Sequence, residues 1–191
     1  MVNQYNVLFV CTGNAARSIM AEAILSHVGK GQFVAYSAGS HPAERVHPET
    51  MVQIELAQIG SEAWRTKSWE MFAWPGAPRM DFVITLCEVA ARRPLPHLPG
   101  NPVWMHWSIP DPEAVSPEDV RRQFGLVFGL LDERIRRMVA LPGAGRGNEQ
   151  LRTELERMGD WPQRAAGAEL MAGEASTAAA RAALSGEMIP A

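Results

Sequence analysis

The residues Cys11-Thr12-Gly13-Asn14-Ala15-Ala16-Arg17-Ser18 bring a nucleophile, a turn residue, a guanidinium and a hydroxyl into one short stretch. The cysteine closes an apolar run at 6–10 (Asn-Val-Leu-Phe-Val) that reads as a strand, and the chain from Arg17 onward reads as a helix. A loop in that position feeds a helix N-terminus, where the backbone N–H groups of residues 12 to 17 can converge on one anion, helped by the helix dipole. Gly13 is expected to let the loop curl tightly. Arg17 offers a planar, two-pronged donor that matches two oxygens of a tetrahedral anion. The same field favours negative charge on the Cys11 sulfur, the reactive form of a thiol, and Ser18 can add a hydroxyl hydrogen bond to it. The chemistry this implies is thiolate attack on a phosphate-like or arsenate-like oxyanion. The competing reading is an inert cysteine buried at a strand end. A dinucleotide loop would need GxGxxG and a Walker loop would need Gly-Lys-Ser/Thr; neither is present.

Two further residues are candidates for the same chemistry. Asp111, within Ile109-Pro110-Asp111-Pro112, could donate a proton to a departing oxygen. The flanking prolines fix the loop around it. Asp-Pro also occurs in plain turns, so spacing alone leaves both readings open. Cys87 follows an apolar run at 81–86, and if that strand lies beside the first, the only two cysteines of the chain share one edge of the sheet. That placement suggests a redox pair, against the alternative of a second buried strand-end cysteine.

The elements that must position these residues alternate between strand and helix. Strands are expected at 6–10, 33–38, 81–86 and 103–107. Helices are expected from Arg17 to Val28, ended by Gly29 and Gly31, from Pro48 to Gly60, and from an N-cap at Ser116 to about Leu141. The stretch 61–79, with Trp64, Trp69 and Trp74, reads as loop. Alternation of this kind predicts an α/β fold: a single flavodoxin-like domain with a four-stranded parallel sheet in order 2-1-3-4 and helices on both faces. A further helix is expected at 148–158. The domain is expected to span 1–159, and 160–191, rich in Ala, Gly, Glu and Ser, reads as a weakly ordered tail.

Composition narrows the class. A net charge of -3 gives no general reason to expect nucleic acid or anionic membrane as a partner. The start Met-Val-Asn-Gln-Tyr lacks signal-peptide character, and no apolar run approaches the roughly 18 residues needed to span a bilayer, so a cytoplasmic protein is expected. Two cysteines are too few for a disulfide scaffold, and the five histidines are scattered without metal-site spacing. No transition metal and no bound cofactor are expected.

The loop followed by Met20-Ala21-Glu22-Ala23, together with Tyr36-Ser37-Ala38-Gly39, Lys67-Ser68-Trp69, the segment ending in Cys87, and 104–112 (Trp-Met-His-Trp-Ser-Ile-Pro-Asp-Pro), resembles the low-molecular-weight protein tyrosine phosphatase superfamily. Within it, these segments resemble the arsenate reductase branch more closely, over about 5–159. The resemblance implies that Cys11 is the nucleophile, that Arg17 and the loop residues Thr12, Gly13, Asn14, Ala15, Ala16 and Ser18 bind the oxyanion, and that Asp111 is the acid. It also implies that Cys87 attacks the Cys11 sulfur, releasing arsenite and leaving a Cys11–Cys87 disulfide. A potassium site at Asn14, Glu22 and Ser37 is a further family feature. The chain departs from its three-cysteine, thioredoxin-coupled relatives at Leu95, where they carry a third cysteine. The disulfide must then be reduced directly by an external thiol system, thioredoxin or glutaredoxin, or through a small thiol such as glutathione or mycothiol. Phosphotyrosine-specific relatives carry tyrosines after the Asp-Pro. Here Glu113 and Ala114 follow, which favours a small oxyanion such as arsenate, with phosphate and sulfate as analogues. A low-molecular-weight phosphatase is the alternative, and a non-catalytic oxyanion or redox sensor a second.

Overall fold

The computed structural model describes residues 4–60, 63–94, 96–141 and 153. At its centre is β1 (Tyr5–Cys11), whose residues Val7, Leu8, Phe9 and Val10 are all buried. Successive side chains of a strand point to opposite faces, so burial of the whole run means that both faces of the sheet are covered here. β1 pairs in parallel with β2 (Phe33–Gly39) on one side and β3 (Phe82–Thr85) on the other, and β3 carries β4 (Val103–His106). The order is β2-β1-β3-β4, as alternation in the sequence predicts. The chain moves from β1 outward to β2 and then returns to the other side of β1. That reversal opens a crevice beyond the carboxyl ends of β1 and β3. Register places Cys11 opposite Gly39 and Val10 opposite Thr85, so the segments after β1, β2 and β3 leave the sheet at one level.

Helix α1 (Arg17–Val28) lies against β1 and β2 and also against α2 (Pro48–Leu56) and α4 (Val120–Ala140). Contact on several sides explains why Ser18, Ile19, Met20, Ala21, Ala23, Ile24 and Leu25 are all buried, a wider apolar surface than a one-sided stripe. Ile19 and Ala23 form a small separate core with Ile54 of α2. The aromatic ring of Phe124 on α4 is fully buried and stacks on His47, the N-cap of α2, at a centroid distance of 4.6 Å.

Two helix boundaries differ from expectation. Helix α2 ends at Leu56, not at Gly60. Gln58 adopts a left-handed φ of 55°, and hydrogen bonds from Gln58 N to Glu55 O and from Ile59 N to Ile54 O close a Schellman-type cap without a glycine. Helix α4 starts at Val120, not beside Ser116. The Ser116–Asp119 stretch forms a separate turn closed by Asp119 N donating to Ser116 O, and the Asp119 carboxylate takes the Ser116 hydroxyl and Arg122 in place of capping the helix. The expected loop at 61–79 contains a 3-10 turn, Trp69–Phe72, capped by Ser68, whose Trp69 and Phe72 are buried. A short helix unrecognised in the sequence, α3 (Glu88–Ala91), follows Cys87 directly. The helix expected at 148–158, except for Thr153, and the tail from 160 lie outside the described residues. No helix among the described residues is long and apolar enough to cross a membrane.

Truncation of a fully buried aromatic ring costs about 3–5 kcal/mol. Phe124→Ala is therefore expected to lower unfolding stability by that amount in urea titration, because it leaves a cavity in the buried core and removes the ring stacked on His47.

Candidate active site

The loop between β1 and α1 is held from outside by its carbonyl groups. Ser40 N donates to Cys11 O (3.1 Å), His41 N to Thr12 O (2.9 Å), Ala43 N to Gly13 O (2.8 Å), and both His47 N and the Thr50 hydroxyl to Ala15 O (3.0 and 2.8 Å). In a trans peptide the C=O of one residue and the N–H of the next point in opposite directions. Carbonyls anchored outward on the 40–50 segment therefore turn the N–H groups of Thr12, Gly13, Asn14 and Ala16 toward the loop interior, the arrangement that accepts an anion. One of these groups, Asn14 N, donates to the Cys11 sulfur at 3.2 Å. Helix α1 has no side-chain cap and no acidic residue in its first turn, so no side chain of that turn neutralises its positive end.

Asn14 organises the interior, and here the structure corrects the sequence reading. The residue with positive φ is Asn14 (47°), not Gly13. A Cβ at Gly13 would meet only Ala43 Cβ, at 4.0 Å. The glycine the loop requires is Gly39, opposite Cys11 on β2, where a Cβ would lie 2.6 Å from Thr12 O and 3.0 Å from Asn14 N. Asn14 is fully buried. Its Oδ1 accepts from Lys67 N at 2.7 Å, which fixes the amide orientation, and its Nδ2 donates to both Ser18 Oγ and Ser37 Oγ at 2.8 Å. Ser18 Oγ lies 3.0 Å from Cys11 Sγ. Since that oxygen already accepts from Asn14, the hydroxyl hydrogen is available to the sulfur. Ser37 in turn donates to Glu22 Oε2, and Lys67 Nζ reaches the same oxygen at 2.9 Å. Glu22 also adds to the effect of burial in raising the pKa of Tyr36 above its usual value.

The other expected residues gather around this loop. Arg17 Nη2 pairs with Asp111 Oδ2 at 2.9 Å and its Nη1 donates to Ile109 O at 3.3 Å, so the guanidinium and the Asp111 carboxylate sit together over the loop, 12% and 46% exposed. The Glu113 N–H holds the second oxygen of Asp111 at 3.2 Å. Cys87 Sγ lies 3.3 Å from Thr12 Oγ1. The second thiol thus contacts the residue that follows Cys11, and both cysteines are free. Leu95 lies outside the described residues. Trp69 is buried in the core.

The potassium site implied by the resemblance does not fit these residues. Glu22 Oε2 already carries an ammonium and a hydroxyl, Ser37 Oγ is committed to Asn14 and Glu22, and Asn14 Oδ1 is committed to Lys67 N. Among the described residues, no group of three or more His, Cys, Asp or Glu side chains could hold a metal ion. Gly39, Lys67, His47 and Thr50 carry structural duties at the site that the sequence reading did not assign. Only Gly39 and Lys67 lay within segments that reading singled out. A hydrogen bond to an ionised acceptor is worth about 1.5–3 kcal/mol. Ser18→Ala is accordingly expected to slow alkylation of Cys11 by iodoacetamide at pH 7 by about tenfold or more, measured by mass spectrometry with Cys87 monitored in the same digest.

Comparison with known proteins places this geometry. The family model of low molecular weight phosphotyrosine protein phosphatase matches residues 6–156. A glutaredoxin arsenate reductase of Synechocystis sp. is 31% identical over 134 residues, 70% of this chain and 95% of that protein. A solved structure of an arsenate reductase in the phosphate binding state is 30% identical, with a TM-score of 0.55, covering 72% of this chain and 98% of the other. The thioredoxin-dependent arsenate reductase of Corynebacterium glutamicum is 25% identical with a TM-score of 0.52, covering 71% of this chain and 60% of that one. The chain belongs to the low molecular weight phosphotyrosine protein phosphatase family, on the branch of its arsenate reductase relatives.

Proposed function

We propose that the protein is an arsenate reductase in which Cys11 attacks arsenic and Cys87 completes the reduction. The observation that carries this reading is the pair of free thiols at one edge of the sheet. Cys11 heads the anion loop, and Cys87 is hydrogen-bonded to the next residue, Thr12. Hydrolysis of a phosphate ester by the loop needs one thiol; reduction of As(V) to As(III) needs two electrons, which two thiols supply on forming a disulfide.

In the first step the loop N–H groups and Arg17 hold arsenate against the Cys11 thiolate. Asp111 gives a proton to the departing oxygen, which leaves as water while a sulfur–arsenic bond forms. Arg17 and Asp111 already lie in contact, so one side chain can bind the anion while its neighbour serves the leaving group. In the second step Cys87 Sγ attacks Cys11 Sγ. The sulfur–sulfur bond forms, the electron pair of the sulfur–arsenic bond stays on arsenic, and arsenite departs. An external thiol donor then restores both cysteines. Of the relatives, one is a glutaredoxin arsenate reductase and another a thioredoxin-dependent arsenate reductase. For this chain the donor acts on the Cys11–Cys87 disulfide directly or through a small thiol such as glutathione or mycothiol, because Leu95 supplies no third cysteine. The working environment is a reducing, cytoplasmic one, where such donors are available.

A phosphatase reading has its own support. Cys11, Arg17 and Asp111 suffice to form and hydrolyse a phospho-cysteine without Cys87, and the family match is to phosphotyrosine phosphatases. A sensor that only binds the anion is disfavoured by the acid held beside Arg17, which binding alone does not require.

Cys11→Ser is expected to abolish both arsenite formation and aryl phosphate hydrolysis. Cys87→Ser is expected to abolish arsenite formation while leaving aryl phosphate hydrolysis within about threefold of the parent, since Cys87 takes no part in ester cleavage. Arsenate reduction by Cys87→Ser at the parent rate would eliminate the two-thiol reading, whereas aryl phosphate hydrolysis by the parent protein with no arsenite release would favour the phosphatase. Asp111→Asn is expected to slow turnover by about 10²–10⁴-fold, the usual contribution of a positioned proton donor.

A further inference from the structure

The Glu22–Lys67 pair is an ion pair with little access to water, with the lysine side chain 13% exposed and the glutamate 12%. Glu22 stands on α1 and Lys67 on the segment that runs beside the end of β2, where Ser68 forms a parallel bridge with Gly39. Lys67 is fixed along its whole length. Its N–H donates to Asn14 Oδ1 at 2.7 Å, its C=O accepts from Gly39 N at 2.8 Å, and its ammonium meets Glu22 Oε2 at 2.9 Å. From that oxygen a chain of hydrogen bonds runs through Ser37, Asn14 and Ser18 to the Cys11 sulfur. A carboxylate this far from water needs a positive partner, and its charge orients every donor along the chain.

We propose that the Lys67 ammonium is the resident cation of this site, a positioning residue that performs from within the chain what an exchangeable potassium ion would otherwise do at Asn14, Glu22 and Ser37. The ammonium cancels the Glu22 charge and leaves that carboxylate free to accept from Ser37. Ser37 thereby turns its lone pairs to Asn14, and Asn14 is held in the left-handed conformation that directs its N–H at Cys11. A covalently supplied cation makes the loop indifferent to which monovalent ion is in solution. The proposal rests on the loop being the anion site, and holds whether arsenate or a phosphate ester is turned over there.

The test uses inorganic sulfate as the probe, with binding measured by calorimetry in sodium and in potassium chloride at equal ionic strength. The unmodified protein is expected to bind sulfate equally in the two salts. Lys67→Ala is expected to bind it about tenfold or more weakly in sodium, because a buried carboxylate is left without its partner. Affinity is expected to recover with added potassium or methylammonium, either of which can fill the vacated position, and Lys67→Arg is expected to retain most of it. Recovery by a small cation separates replacement of a charge from a general loss of packing. Sulfate affinity of the unmodified protein that rises saturably with potassium would overturn the proposal and needs no variant. Lys67→Ala that binds sulfate like the parent in sodium, or that no cation restores, would overturn it equally.

Discussion

Asn14 is fully buried with a left-handed backbone, and the geometry around Cys11 depends on its staying so. A non-glycine residue in that region carries a conformational cost of about 1–2 kcal/mol, and a buried amide left unpaired costs about as much again for each missing bond. Both costs are offset only because Lys67 N, Ser18 and Ser37 all meet the side chain at 2.7–2.8 Å. The reward is directional. The Asn14 N–H reaches the Cys11 sulfur, and the amide nitrogen turns the Ser18 oxygen into an acceptor, so that its hydrogen points at sulfur as well. Gly39 makes the arrangement possible from the neighbouring strand, since any side chain there would collide with Thr12 O and Asn14.

The sheet brings the rest into range. β1 ends at Cys11, β3 ends two residues before Cys87, and the segment after β4 carries Asp111 back over the loop to Arg17. Parallel strands in register deliver three chemically active segments to the same edge, and the reversal of winding direction at β1 leaves the crevice open between them. The 40–50 segment works from the opposite side. By donating hydrogen bonds to the loop carbonyls it leaves the amides facing inward, and the stacked His47–Phe124 pair ties that segment to α4. The geometry around Cys11 is therefore a tertiary property, built by a strand, a helix start and a remote loop together.

How much of this the sequence discloses follows from how local each feature is. The 11–18 loop, the strand order and the Asp111 turn rest on contiguous residues and on strand–helix alternation, and these are legible. Contacts between Lys67 and Glu22, 45 residues apart, or between Lys67 and Asn14, 53 apart, leave no local pattern. Lys67 is an ordinary lysine until the fold places it. Boundary errors have similar causes. Gly60 looks like a helix stop, yet Gln58 accepts the left-handed conformation and closes α2 earlier. The Ser-Pro-Glu-Asp sequence at 116–119 looks like a capping box, yet Ser116 and Asp119 bond to each other. Gly13 seems the natural turn residue, but conformational freedom is needed at Asn14, where three side-chain hydrogen bonds, two of them to distant segments, compensate a residue that tolerates the left-handed region.

The central claim is that two thiols of this chain carry the electrons to arsenic, and a single turnover without any external reductant tests it most directly. Fully reduced protein is mixed with excess arsenate, the arsenite released is counted per protein, and the products are mapped by peptide mass spectrometry. The account predicts one arsenite for each protein and a disulfide joining Cys11 to Cys87. Release of no arsenite, or release with Cys87 still a free thiol, would contradict it.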